Sequence, residues 1–78
     1  MAQTVRTYYE SGELRSEHFE LNGKKYGEFK SYYKNGQLCF ICSFIDGITN
    51  GETKEYTSTG ELIRKWILEN GNLIKITN

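Results

Sequence analysis

The chain has 78 residues, with ten basic and ten acidic side chains, so its formal net charge at pH 7 is zero. This length fits one small domain. Because the charge is balanced, the chain is not expected to attract nucleic acid or anionic lipid over long range. Six Tyr, four Phe and one Trp carry much of the apolar surface of what is, by composition, a folded protein.

A 24-residue period runs through the chain. The stretch YYESGEL at 8–14 returns as YYKNGQL at 32–38 and as YTSTGEL at 56–62. All eight glycines keep this period and fall into three sets: Gly12, Gly36 and Gly60; Gly23, Gly47 and Gly71; Gly27 and Gly51. We therefore predict a single repeat domain over 1–78, with repeats at about 3–26, 27–50 and 51–76.

Seven strands are predicted in chain order, at about 3–9, 13–21, 27–33, 37–45, 51–57, 61–68 and 72–76. The chain has no proline, the strand segments are rich in Tyr, Phe, Ile, Thr and Leu, and glycine turns separate them. SG, NG and TG mark one hairpin turn in each repeat, and NG or DG marks the other. Sequential hairpins predict an all-β fold, a single-layer antiparallel β-meander built from three hairpin repeats, with no segment left for a second layer.

The least polar segment is LCFICSFI at 38–45. Strand alternation assigns four of its side chains to one face: Leu38, Phe40, Cys42 and Phe44. A two-residue loop at Asn35-Gly36 would set Tyr33 opposite Leu38, and Phe29 opposite Cys42 on that same face. A three-residue loop with a bulge would instead set Tyr32 opposite Leu38. The sequence leaves both registers open.

GEFKSYYKNGQL at 27–38 and GETKEYTSTGEL at 51–62 resemble the variant class of MORN (membrane occupation and recognition nexus) repeats. The resemblance implies a single-layer antiparallel sheet and an antitoxin-like protein or an interaction scaffold. The third copy departs from the pattern, because Thr53 stands for Phe29, Thr57 stands for Tyr33, and Lys75 stands where a fourth copy would begin with Gly. We interpret these departures as a C-terminal cap.

No combination of residues indicates catalysis or metal binding. Cys39 and Cys42 have C-x-x-C spacing, but in a strand they point to opposite faces, and a metal needs three or four ligands. The repeat equivalents of His18 are Cys42 and Trp66, which indicates a packing position. The turn acids recur with the period and are interpreted as solvated charges: Glu13, Glu28, Glu52 and Glu61. We therefore expect no enzyme activity, no catalytic residue, no metal site and no cofactor.

A thin sheet cannot bury both faces, so we expect aromatic side chains on one face to bind another protein. The candidate residues are Tyr9, Phe29, Tyr33, Phe40, Phe44 and Trp66. The preferred form is an antitoxin-like inhibitor that covers its partner. Three alternatives stay open: a central strand covered by sheet curvature, a homodimer formed through the same face or an edge strand, and a binder of single-stranded nucleic acid.

The neutral charge disfavours nucleic acid as a partner, and a membrane is disfavoured because the sequence has no polybasic patch or amphipathic helix. The N-terminus lacks a charged-then-apolar leader, and no apolar run is long enough to span a bilayer. We therefore expect a cytoplasmic protein, or one inside a host cell, with reduced cysteines.

Overall fold

The computed structural model describes residues 2–77, which form one antiparallel sheet. Its strands are β1 (Ala2–Tyr8), β2 (Leu14–Leu21), β3 (Lys24–Tyr32), β4 (Leu38–Ile45), β5 (Ile48–Thr49), β6 (Gly51–Tyr56), β7 (Leu62–Glu69) and β8 (Asn72–Thr77). The order is β1-β2-β3-β4-β6-β7-β8, with the short β5 also paired to β4. The all-β, single-layer meander is therefore confirmed. The extra strand arises because Asn50 separates β5 from the fifth predicted strand.

One turn of each repeat is a two-residue hairpin loop. In the first repeat Asn22 and Gly23 join β2 to β3, with φ angles of 52° and 81°. A type I′ turn needs positive φ at both central residues, which Asn and Gly tolerate best. Asp46-Gly47 and Asn70-Gly71 repeat this geometry. The NG and DG pairs therefore set the β2–β3, β4–β5 and β7–β8 hairpins.

The other turn of each repeat has a three-residue loop. In the second repeat the Tyr33 N–H donates to the Gln37 carbonyl at 2.8 Å, and the Gly36 N–H donates to the Tyr33 carbonyl at 3.0 Å. Gly36 has a φ of 90°, which favours glycine at this position. The same bonds recur between residues 9 and 13 and between residues 57 and 61.

Each of the two registers left open by the sequence describes part of the β3–β4 hairpin. Phe29 lies opposite Cys42, as a two-residue loop predicts, but Tyr32 lies opposite Leu38, as a three-residue loop predicts. Both hold because the pairing shifts by one residue and leaves Cys39 without a partner. The shift moves Leu38 off the face of Phe40, so the prediction that these two share a face is wrong.

The sheet is a thin slab of 36 × 35 × 12 Å. Among residues 2–77 the buried side chains are Cys42, His18 and Thr53, and no large side chain is completely enclosed. The described residues contain no helix that could cross a membrane. Stability therefore depends on strand pairing and on side chains packed over one face of a single layer.

Candidate functional site

Cross-strand pairing collects the aromatic rings on one side of the sheet. Residues directly opposite each other in an antiparallel pair share a face, and Phe40 lies opposite Ser31 while Phe44 lies opposite Gly27. The ring centroid of Phe29 is 6.5 Å from that of Phe40 and 6.4 Å from that of Phe44. The ring centroids of Phe40 and Trp66 are 6.2 Å apart. We call this side, defined by Phe29, Phe40, Phe44 and Trp66, the aromatic face.

The aromatic face is half-buried in the isolated chain. Lys25 lies over it, with its Nζ 5.8 Å from the ring centroid of Phe29 and 5.4 Å from that of Phe44. A cation at this distance is attracted by the ring quadrupole, and the lysine stem covers part of the ring surface. The Phe29–Phe44 end of the aromatic face is therefore partly shielded by the Lys25 side chain.

His18 packs into this face as the repeat equivalent of Cys42 and Trp66. Its ring stacks on Phe29 with centroids 5.6 Å apart, and its Nε2 lies 2.8 Å from Glu20 Oε2. Its Nδ1 is buried and has no hydrogen-bond partner among the described residues. The imidazole thus occupies the packing position that the repeat comparison predicts.

Large and small side chains alternate across the middle of the aromatic face. Phe29 faces Cys42, whereas Thr53 faces Trp66, so the bulky member changes strand between the second and third repeats. Thr53 is only 2% exposed. A small residue occupies the repeat position of Phe29 because the indole of Trp66 opposite needs the space. Packing therefore explains this departure from the repeat, which was interpreted from the sequence as part of a C-terminal cap. Burial also raises the pKa of the Cys42 thiol, an effect that nearby Lys25 partly offsets.

Two of the predicted binding residues lie outside this cluster and join neighbouring repeats. The Tyr9 hydroxyl donates to the Tyr32 carbonyl at 2.5 Å, and the Tyr33 hydroxyl donates to the Tyr56 carbonyl at 2.7 Å, each 23 residues along the chain. Lys34 Nζ lies 5.7 Å from the Tyr9 ring centroid. Contact with Cys39 raises the pKa of Tyr33 above its usual value. These tyrosines have a structural role that a list of aromatic positions does not reveal.

Sequence reasoning missed the apolar residues of the last strand. A groove of about 260 Å³ lies beside Trp66, lined by Arg64, Trp66, Leu68, Leu73 and Ile76. Leu73, Ile74 and Ile76 are 54%, 58% and 61% exposed. The signal was present in the segment NLIKIT at 72–77, which has three large aliphatic residues and one charge. These side chains are aliphatic, whereas the six predicted binding residues are all aromatic.

Charges on the opposite side of the sheet are mixed and paired. Lys30 lies 3.5 Å from Glu28, and Glu52 lies 3.7 Å from Lys54 and 3.6 Å from Lys65. These lysines therefore do not form a basic surface. Within residues 2–77 no group of three or more His, Cys, Asp or Glu is placed to hold a metal ion.

Comparison with known proteins identifies the repeat. The model of the MORN repeat variant family matches residues 4–19 and 25–46, which confirms the resemblance seen in the sequence. The third repeat, where Thr53 and Thr57 depart from the pattern, lies outside the match. No curated protein and no solved structure matches the chain significantly. MORN repeats are non-enzymatic modules generally involved in protein and membrane interactions.

Proposed function

This chain carries MORN-type repeats, and we propose that it is a non-catalytic module that binds another protein through its aromatic face. In its concrete form it is an antitoxin-like inhibitor, located in the cytoplasm or inside a host cell, that covers the working surface of its partner. Phe29, Phe40, Phe44 and Trp66 provide the contact. Tyr9 and Tyr33 support it by holding adjacent repeats together.

The observation that carries this proposal is the presence of clustered rings on one face of a single layer. The described residues supply no second layer to cover the rings. Aromatic residues are enriched among those that dominate binding energy in protein interfaces. The sheet outline of 36 × 35 Å encloses at most about 1,260 Å², above the roughly 800 Å² per partner of a standard interface. The outline of one face therefore leaves room for an interface of standard size.

The charge distribution favours a protein over the other partner classes. Single-stranded nucleic acid and anionic membranes both require lysines that are free to meet phosphate. Here the net charge is zero, and Lys30, Lys54 and Lys65 lie beside carboxylates on the opposite side of the sheet. On the aromatic face, Lys25 lies over the rings of Phe29 and Phe44. The affinity of this surface for a protein comes from the burial of apolar area, which needs no excess positive charge.

The experiment uses two adjacent residues on opposite faces. The tagged full chain captures its partner from a lysate of its native cells, and the captured protein is identified and purified for titration. Trp66→Ala is then compared with Ile67→Ala. Both side chains are half-buried in β7, but Trp66 lies opposite Thr53 whereas Ile67 lies opposite Glu52. Circular dichroism verifies that both variants fold.

We expect Trp66→Ala to weaken binding by about 30-fold or more, the effect of removing a residue that contributes roughly 2 kcal/mol. Ile67→Ala should bind within about threefold of the parent chain. Equal affinities for the two variants would contradict the assignment of the aromatic face. The inhibitor form has its own test, since an enzyme partner should lose activity in proportion to the chain bound.

A further inference from the structure

The two edges of the sheet differ in chemistry. β1 and β8 end the strand order, and among the described residues no strand pairs with their outer sides. β1 has the sequence AQTVRTY, which is mostly polar and carries an arginine paired with Glu17. β8 has the sequence NLIKIT, whose three aliphatic side chains are all more than half exposed. The strongest attraction for another strand is therefore at the β8 edge.

β8 lacks most of the devices that protect sheet edges. Such edges are usually very short, charged or interrupted by proline. β8 has six residues, no proline and a single charge, Lys75. Besides Lys75 it has a bulge, because the pairing with β7 shifts between Ile67 and Leu68 and leaves Ile74 without a partner. An unpaired and largely apolar edge of this kind recruits another strand.

We propose that a second copy of this chain occupies the β8 edge, with the two β8 strands antiparallel about a two-fold axis. The axis passes at Ile76. This register sets Ile76 of one copy against Ile76 of the other, and Lys75 against Thr77. A two-fold axis at Lys75 would place the two Lys75 side chains opposite each other, and an axis at Ile74 would place Leu73 opposite Lys75. The Ile76 register therefore gives the best cross-strand pairs.

Electrostatics permit this pairing of identical copies. Net charge is zero, so two copies do not repel at long range. Near the edge, Arg64 lies 3.2 Å from Glu55 and Lys65 lies 3.6 Å from Glu52. Lys75 is the only charged side chain of β8, and the register places it opposite a neutral threonine.

The competing arrangement joins β8 of one copy to β1 of the next. In the meander β1 and β8 run in the same direction, so this contact would be parallel if the aromatic faces stayed on the same side. Such a head-to-tail contact does not close and would grow into filaments. It would also bury the exposed isoleucines of β8 against a polar strand. The two-fold pair closes and places Ile76 of one copy against Ile76 of the other.

The dimer extends the molecule without covering its aromatic face. A two-fold axis perpendicular to the sheet keeps both aromatic faces on the same side, and the sheet continues through the paired β8 strands. Because Trp66 lies opposite Ile76 in the β7–β8 ladder, the two indoles lie near the join. The proposal does not rest on partner binding, since it can be tested with the purified chain alone.

The test is analytical ultracentrifugation of the full chain from about 1 to 500 μM, a range that suits the weak association of a small interface. Ile76→Lys places two lysines at the centre of the pair. Ile45→Lys is the matched control, because Ile45 is 62% exposed but lies in β4. Hydrogen exchange of residues 74–77 at low and high concentration gives a second readout that needs no substitution.

We expect the parent chain and Ile45→Lys to pass from 9.1 kDa to twice that mass, with slower exchange in residues 74–77 at high concentration. Ile76→Lys should raise the dissociation constant at least about tenfold. A monomer at every concentration overturns the proposal. So does a dimer that Ile76→Lys leaves intact, one that Ile45→Lys also abolishes, or a series of oligomers that grows beyond two copies.

Discussion

Tyr9→Phe tests whether tyrosine hydroxyls hold the repeats together. The substitution keeps the ring and its contact with Lys34 Nζ at 5.7 Å. It removes only the hydroxyl that donates to the Tyr32 carbonyl. In a repeat array the contacts between neighbouring repeats contribute a large share of the total stability. Removing this hydroxyl oxygen therefore measures how much its hydrogen bond stabilises the interface between the first and second repeats.

The expected cost follows from the hydrogen bond and the size of the chain. A typical intramolecular hydrogen bond contributes about 1 kcal/mol net to the free energy of unfolding. With about 2.1 cal/mol/K of unfolding entropy per residue, the 78-residue chain has about 160 cal/mol/K. A loss of about 1 kcal/mol then lowers Tm by about 6 °C. Tyr33→Phe should lower Tm in the same way, because it removes the bond to the Tyr56 carbonyl.

Thermal unfolding followed by circular dichroism measures these changes at a fixed protein concentration. Tyr26→Phe is the control, since Tyr26 packs against Phe19 with centroids 6.1 Å apart and its hydroxyl bonds to no described residue. Its Tm should stay within about 2 °C of the parent chain. If Tyr9→Phe changed Tm no more than this control does, the hydroxyl bond would not stabilise the repeat interface and the reasoning would be refuted.

Four further predictions concern a turn glycine, the two cysteines and the buried Thr53. Gly36→Ala should cost about 1–2 kcal/mol, because φ is +90° and a Cβ meets no atom within 4 Å, so urea unfolding measures conformational strain alone. Iodoacetamide should label Cys39 before Cys42, which is 4% exposed, as peptide mass spectrometry can follow. Because the pKa of Cys42 is raised, the folded state holds the thiol proton more tightly than the unfolded state does. The buried thiol therefore contributes fully to the free energy of unfolding at neutral pH, and this free energy falls as pH rises above about 9. Thr53→Phe should destabilise the fold by about 1–3 kcal/mol through overpacking, and adding Trp66→Cys should recover part of the loss; a double variant no better than the single one would argue against the large-and-small pairing.

The local turn chemistry made most of the fold predictable. Asn22 and Gly23 adopt the positive φ values that their residue types favour, and equivalent pairs recur every 24 residues. Because these turns are short, they leave the chain no route other than an antiparallel meander. The strand alternation then brought Phe29, Phe40, Phe44 and Trp66 together as four of the six candidate binding residues.

The remaining features depend on contacts between strands that are distant in sequence. The one-residue shift that leaves Cys39 unpaired is set where β3 meets β4, so no local pattern could place Leu38 on its face. The roles of Tyr9 and Tyr33 depend on carbonyl groups 23 residues away. The sequence by itself thus determined the order and direction of the strands, since each turn is encoded by adjacent residues, but not the break at Asn50 that adds an eighth strand. Only the tertiary structure decided which side chains join repeats, which pack over the face and which remain exposed at the β8 edge, because those outcomes depend on the neighbour that pairing brings opposite each residue.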